Sequence, residues 1–369
     1  MARKNDRLLE MLIMIGYSIE FPTNLAKWIE GHWDWNRHIM YRAIEDGYVS
    51  LLRKKVGKHV LRSLHITEKG ISYIAERDPK ALAMIYSRTD DGMRVYPSWT
   101  EKIRRYHAIA TGLIMARAAG AVYPPDEKPS LMALGREVDT LHPDPDTVYY
   151  YSPFELRSAL EEKEDRLTMK SSRLIGVIIR GHRCYFMYYT GWTRMFWLQH
   201  AEENYAGGIV RHLKIRGFPI RTISQIVIGN KMCIAEKLCH SPGTYGSRYF
   251  VVSDEFNSCL FVTNDHAGDE LLRLIVDPDL ALRFDRQALA GFLQPRMNTR
   301  AYDAIDPEGN RPVILNYMCD LQRIMKTDLN PFGYNDSPVM LCLDYQAQTI
   351  QHITGPGVEV RVITGGEAE

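Results

Sequence analysis

The chain has 369 residues, 45% of them hydrophobic and 25% charged, which suits two or three domains with real apolar cores and excludes a disordered, collagen-like or disulfide-stapled chain. The formal net charge is +1. Residues 1–110 nevertheless hold 19 Lys+Arg against 13 Asp+Glu, and the remainder 27 against 32, so a basic head precedes an acidic body. Such a head suits a polyanionic partner.

The N-terminus "MARKNDRLLEMLIMIGYS" does not read as a signal peptide, because Glu10 interrupts its apolar run and no small-residue cleavage site follows. No apolar run reaches the ~18 residues that a membrane-spanning helix needs, so no membrane partner is expected. Residues 5–17 carry Leu8, Leu9, Leu12, Ile13 and Ile15 near helical spacing and predict a first helix. "PTNLAKWIEG" predicts a short second helix with Thr23 as its cap. "DWNRHIMYRAIEDGYV" predicts a third, with Asn36 as its cap, Ile39, Met40 and Ile44 toward the core, and Gly47 closing it in the left-handed conformation.

Next come "YVSLLRKK" and "KHVLRSLHI", two β-rich runs around Val56-Gly57 that predict a hairpin. "TEKGISYIAE" then begins a helix capped by Thr67. Between residues 46 and 70 stand Arg53, Lys54, Lys55, Lys58, Arg62 and Lys69, against only Asp46 and Glu68. Three helices, a charged hairpin and a helix, with "R-x-I-x-D-G-Y-V" and "I-T-E-K-G" at the joints, resemble a winged helix-turn-helix over residues 5–78. That resemblance implies double-stranded DNA as the partner. Asn36, Arg37, His38, Tyr41 and Arg42 would be contacts from the third helix, and Arg53, Lys54, Lys55, Lys58, His59 and Arg62 phosphate contacts from the wing.

Residues 86–150 read as a helical connector. One long helix, from about Ser98 to Ala119, has Ile103, Ile109, Leu113, Ile114 and Ala118 on one face, and Lys102, Arg104, Arg105 and His107 as a solvated charge near its start. The proline-rich "VYPPDEKP" and "LHPDPD" break the chain after it. From 151 to 369 strand-like runs ("RLIGVII", "CYFMYYT", "QIVIG", "YFVVS", "CLFVT", "PVILN", "VMLCLDY", "VEVRVI") mix with helix-like ones, which predicts a mixed α/β domain with a largely buried sheet. The six cysteines form no C-x-x-C pair and read as reduced, buried thiols of a cytoplasmic protein.

The expected fold class is therefore α+β or α/β, a winged helix followed by a mixed α/β domain. Ser172-Arg173-x-x-Gly176, Tyr185-x-x-Tyr188-x-x-Gly191, Trp197 and Glu203, with the later "PVILNYMCDLQRI" and "VMLCLDYQ", resemble the replication-relaxation family of bacterial plasmids and integrative elements. The resemblance runs over most of the chain on loose motifs. It implies a protein of a mobile genetic element acting on DNA in replication, conjugative transfer or their regulation. Its second domain would be nuclease-like, often without intact catalytic residues.

Catalysis of that kind needs carboxylates that hold Mg²⁺ and a basic residue to position water. The first two strands of the domain carry no acid, and the remaining set is Asp344 with Glu359 and Arg361, where arginine replaces the usual lysine. Mg²⁺ is implied only if that set is active; otherwise no cofactor or metal is expected. There is no G-x-x-x-x-G-K-[ST] phosphate loop and no His-x-His pair. The aromatic run from Tyr185 to Tyr205, with Arg183 and Arg194, is read as core plus an interface for a second copy or a partner rather than as a stacking platform for bases. Three readings remain open: a non-enzymatic DNA-binding protein, a metal-dependent nicking protein, and a winged-helix regulator whose α/β domain binds a ligand or partner.

Overall fold

The computed structural model describes residues 6–29, 32–86, 100–131, 141–160, 172–192, 197–240, 249–295, 302–327 and 337–363. It is mixed α and β and divides into two compact units, one of residues 1–117 with 121–159, the other of 118–120 with 160–369.

In the first unit, α1 (Arg7–Ser18) is capped by Asp6, whose carboxylate accepts from Leu9 N at 3.1 Å. Every residue from Met11 to Ser18 is buried, so this helix is covered on all sides rather than along one stripe. β1 (Phe21–Pro22) follows, then a 3-10 segment at Thr23–Trp28 where the sequence predicts an α-helix. α2 (Trp33–Glu45) ends through Asp46 into Gly47, whose φ of 74° is the left-handed cap expected there.

β2 (Val49–Val56) and β3 (His59–Ile66) form the expected hairpin, and β1 adds antiparallel to β3. Gly57 has φ +60° at the first of the two turn positions, the geometry of a type II′ turn, whose twist matches that of the strands. Thr67 caps α3 (Glu68–Arg77), accepting from Gly70 N at 3.2 Å while its hydroxyl donates to Gly47 O at 2.7 Å. One side chain thus joins the start of α3 to the turn between α2 and β2. A Cβ at Gly70 would lie 2.3 Å from Tyr48 O, so only glycine fits this joint.

α4 (Pro79–Tyr86) and α5 (Thr100–Ala118) complete the helices of this part; Ser98, the expected start of the long helix, lies outside the described residues. α5 is not a connector. Residues from Ala108 to Ala116 are buried, Arg117 pairs with Glu10, and His107 Nε2 meets Ser63 Oγ at 2.9 Å. β4 (Tyr149–Tyr151) and α6 (Pro153–Ala159) belong to the same unit, held by Tyr17 donating to Glu155 at 2.6 Å.

In the second unit, β5 (Leu174–Arg180), β6 (Arg183–Gly191), β7 (Thr222–Gly229) and β8 (Cys259–Thr263) lie side by side in that order. The first pair is antiparallel and the others parallel. α7 (Gln199–Ile215) links β6 to β7, and α8 (Cys233–Cys239) links β7 to β8. α9 (His266–Val276) and α10 (Pro278–Ala288) follow, capped by Asp265 and Asp277.

A second sheet has the order β9 (Ala304–Asp306), β10 (Arg311–Leu315), β11 (Val339–Cys342) and β12 (Glu359–Val362), with β10, β11 and β12 parallel. α11 (Leu321–Lys326) and α12 (Asp344–Thr354) cross between them.

Two expectations fail locally. "YFVVS", residues 249–253, forms no strand; Phe250 instead puts its ring edge-on to Trp197, with centroids 4.9 Å apart. Cys233, expected on an apolar face, is exposed at the start of α8, whereas Cys184, Cys259, Cys319 and Cys342 are buried as expected.

Candidate nucleic-acid interface

Between Gly47 and Thr67 the sequence has no Asp or Glu. Strand alternation sorts its basic residues. Arg53 and Lys55 of β2 share a face with Val60 and Arg62 of β3, because Arg53 stands opposite Arg62 and Lys55 opposite Val60. The same face begins at the root of the hairpin as Val49, Leu64 and Ile66, all buried. It therefore changes from core to cation as the hairpin leaves the body.

Arg53, Lys55, Lys58, His59 and Arg62 are exposed; Lys54 is half-buried on the other face. Among the described residues no carboxylate lies within 4 Å of Arg53, Lys55, Lys58 or Arg62. Two arginines directly opposite each other on an antiparallel pair repel, a cost that an acid neighbour would normally offset.

α2 presents Arg37, His38, Tyr41 and Arg42 to solvent, as expected of contact residues, with Arg37 5.7 Å from the Tyr41 ring centre. Asn36 is a correction. The helix starts three residues before it, with His32 as its cap, and this turns Asn36 inward. It is 1% exposed and donates to Ile29 O at 2.6 Å, so it cannot reach a base or phosphate. Asn36→Ala is expected to cost about 1–3 kcal/mol of stability by leaving that buried carbonyl unpaired, and to leave DNA affinity per folded molecule unchanged. Urea unfolding beside a binding titration checks both.

Two further exposed rings, Trp33 at 38% and Trp35 at 59%, stand on α2 and were not singled out from the sequence. The signal was available, since Trp33, Arg37 and Tyr41 recur every four residues on a helix that also buries Met40 and Ala43.

The root of the hairpin is fixed by a buried polar chain. Ser63 donates to Glu20, which leaves its oxygen to accept from His107, so His107 carries its proton on Nε2. His65 Nδ1 lies 3.1 Å from the other Glu20 oxygen. The hydrogen bond to Glu20 raises the pKa of His65 despite its burial, whereas burial lowers that of His107 to about 4. The solvated charge expected at His107 is thus a neutral, half-buried donor.

The signs of the two histidines are opposite. The stability that His65 contributes is complete below its unfolded pKa and is lost as pH rises through its raised folded value. For His107, the unfolded chain takes a proton between about pH 6.5 and 4 that the fold refuses, so stability is lost as pH drops through that window, by roughly 3 kcal/mol in total. His107→Gln keeps a donor and removes the titration. Denaturant unfolding at pH 7 and pH 4.5 is expected to show a smaller loss for the variant than for the parent.

In the second unit, the acid set Asp344, Glu359 and Arg361 does not assemble. Parallel pairing places Glu359 beside Val339 and Arg361 beside Leu341, whereas Asp344 lies five residues beyond Val339, at the start of α12. At ~3.3 Å per residue that separation is about 16 Å. Glu359 and Arg361 instead belong to an ion-pair network: Arg311 reaches Glu359 at 2.5 Å and Asp306 at 3.0 Å, and Arg361 reaches the same two acids at 2.6 and 3.0 Å. Glu359 is held below the usual carboxylate range by these arginines, Arg361 first.

The aromatic run of β6 is core. Tyr185, Phe186, Tyr188, Trp197 and Tyr205 are all at most 5% exposed; Arg194 and Phe196 lie outside the described residues. Trp192 is exposed at 62%, with Lys231 5.5 Å from its ring.

No helix among the described residues is long and apolar enough to cross a membrane. Compared with family models, curated proteins and solved structures, the chain matches none.

Proposed function

We propose that this protein binds double-stranded DNA through a winged helix-turn-helix formed by residues 6–77. Residues Arg53, Lys55, Lys58, His59 and Arg62 of its hairpin would contact phosphates, and Arg37, His38, Tyr41 and Arg42 of α2 would enter the major groove. The observation that carries this reading is the acid-free hairpin with Arg53 set opposite Arg62. Like charges held together without a counter-ion are relieved by an anionic partner, and the phosphate backbone supplies a regular one. The order of elements, helix, strand, 3-10 turn, helix, hairpin and helix, supports the docking mode.

With its resemblance to replication-relaxation proteins, the chain is best read as a non-enzymatic DNA-binding protein of a mobile element, acting in replication, transfer or their regulation. The second unit is read as nuclease-like in descent and as the part that recruits a partner or a second copy. Splitting of Asp344 from Glu359 supports that choice over nicking. Binding of a mixed-sequence duplex, measured by fluorescence anisotropy from 50 to 300 mM salt, tests the proposal. Three to six phosphate contacts give a log–log slope of about −3 to −5. A slope near zero, or no binding at 50 mM salt, rejects it.

One observation favours the ligand-binding variant of this reading. A cavity of about 420 Å³ in the second unit is lined by Arg183, Asp285, Asp303, Tyr317 and Arg323 among others. Two arginines, two aspartates and a tyrosine in one concave lining suit a small polar ligand, which would make the protein a ligand-responsive DNA binder.

A further inference from the structure

The exposed rings of α2 are more than the proposed groove contacts require. Trp33, Arg37 and Tyr41 follow one another at i, i+4 and i+8, so they stand in a row along the helix about 6 Å apart. Arg37 lies over the Tyr41 ring at 5.7 Å. Trp35 stands with His38 and Arg42 on the other flank of the exposed arc, about 160° round the helix from Trp33. Trp33 is 38% exposed and Tyr41 52%, which leaves apolar ring faces in water along one row of a helix only 13 residues long. Asp34 and Glu45 are the acids of the helix, at or near its two ends, and Asp34 already faces His32 at 3.7 Å.

Chemistry chooses the occupant. In a duplex the flat face of each base is covered by its neighbours, and a groove offers only edges and methyl groups. An indole has one N–H donor and no acceptor, so it reads edges poorly. What an exposed ring and a guanidinium plane bind well is the open face of an unpaired base, and every base has one. The basic hairpin in the same unit matches the backbone that continues from such a base.

We infer that the α2 row Trp33, Arg37 and Tyr41 is a stacking platform for unpaired bases, where Arg37 and Tyr41 take base faces in place of the groove contacts they would make in closed duplex, and that the preferred ligand is DNA in which a duplex passes into a single strand. This rests on the DNA-binding reading above and narrows it. A protein with this preference would occupy opened or nicked DNA rather than closed duplex.

The test compares, on the full chain, a blunt 20-base-pair duplex with the same duplex carrying a ten-base single-stranded tail. Anisotropy gives affinity, and tryptophan fluorescence reports stacking. The tailed DNA is expected to bind about 5- to 150-fold tighter, the range that one base–aromatic stack supplies, and to quench fluorescence more than the duplex does. Trp33→Ala, at a position outside the proposed groove contacts, is expected to remove most of that preference and of the extra quenching while leaving blunt-duplex affinity unchanged; Trp35→Ala, on the other flank of the helix, should leave the preference in place. Equal affinity for the two DNAs overturns the inference and leaves duplex binding standing, whereas loss of binding to both rejects duplex binding itself. A wild-type dimer that Trp33→Ala dissociates in sedimentation, with no change in tail preference, also overturns it and makes the platform a contact between copies.

Discussion

Replacing Arg53, Lys55 and Arg62 together by glutamine is expected to weaken duplex binding on the order of 100-fold at 0.15 M salt. Each phosphate contact contributes about 0.9 to the salt slope, and at that concentration about 0.7 log units of affinity, so three contacts remove about 2.7 from the slope and two log units from the binding constant. The three side chains are exposed and face the same way, and their removal takes away a repulsion between Arg53 and Arg62 without opening the core. Stability should therefore hold or rise by a few tenths of a kcal/mol, as for relief of a like-charged cross-strand pair. The combination of intact fold, lower affinity and flatter slope separates a phosphate-binding hairpin from a merely solvated one. A triple variant with the parent slope would move the interface elsewhere.

The second large effect is on folding. Lys128 has a side chain only 1% exposed; its ammonium donates to Tyr150 O at 2.6 Å, reaches Glu155 at 2.7 Å and lies 4.5 Å from the centre of the Tyr151 ring. Glu155 also accepts from Tyr17 and from Ser152 N at 2.8 Å. Burial alone would raise the pKa of Glu155, but Lys128 and these donors outweigh it and hold the carboxyl below its usual range.

Lys128→Met is expected to cost about 3–5 kcal/mol, because it leaves a buried carboxylate without its cation. For a unit of this size that is a fall in Tm of roughly 6–20 °C. Adding Glu155→Gln should recover part of the loss, since the amide oxygen still accepts from Tyr17 while no charge is left uncompensated. A single-variant loss below about 1 kcal/mol, or no recovery in the double variant, would mean that the ion pair does not hold this segment in place.

What could be read from the sequence and what could not divides along the reach of the signals. Thr67, Gly47 and Gly57 announce their cap, stop and turn through local backbone rules, and the hairpin and α3 follow from them. Asn36 misled because two residues could cap α2, and the choice of His32 decides which way Asn36 faces. Glu359 and Asp344 misled more deeply. Alternation shows which face of a strand a residue takes but not its register against a strand 15 or more residues away, and in β11 and β12 that register keeps the two acids apart.

The buried ionic and polar groups were the least legible. His107 and Lys128 carry side chains that usually stay in water, and only the tertiary partners Ser63 and Glu155 explain their burial. The helix after Asp277, by contrast, carries a local signal in its cap-and-proline start.

The first unit is not finished where its basic hairpin ends. Tyr17 in α1 waits for Glu155 and packs edge-on to Tyr123, both far downstream. A ribosome adding about 5–20 residues per second reaches Glu155 roughly 4–18 s after it has made Ile66. For that interval the nascent chain carries a complete cationic hairpin above an unsealed apolar helix, within reach of the ribosome's own RNA. The same cationic surface that is proposed to bind nucleic acid in the finished protein would thus make its synthesis a period of exposure, in which holding by a chaperone has the most to protect.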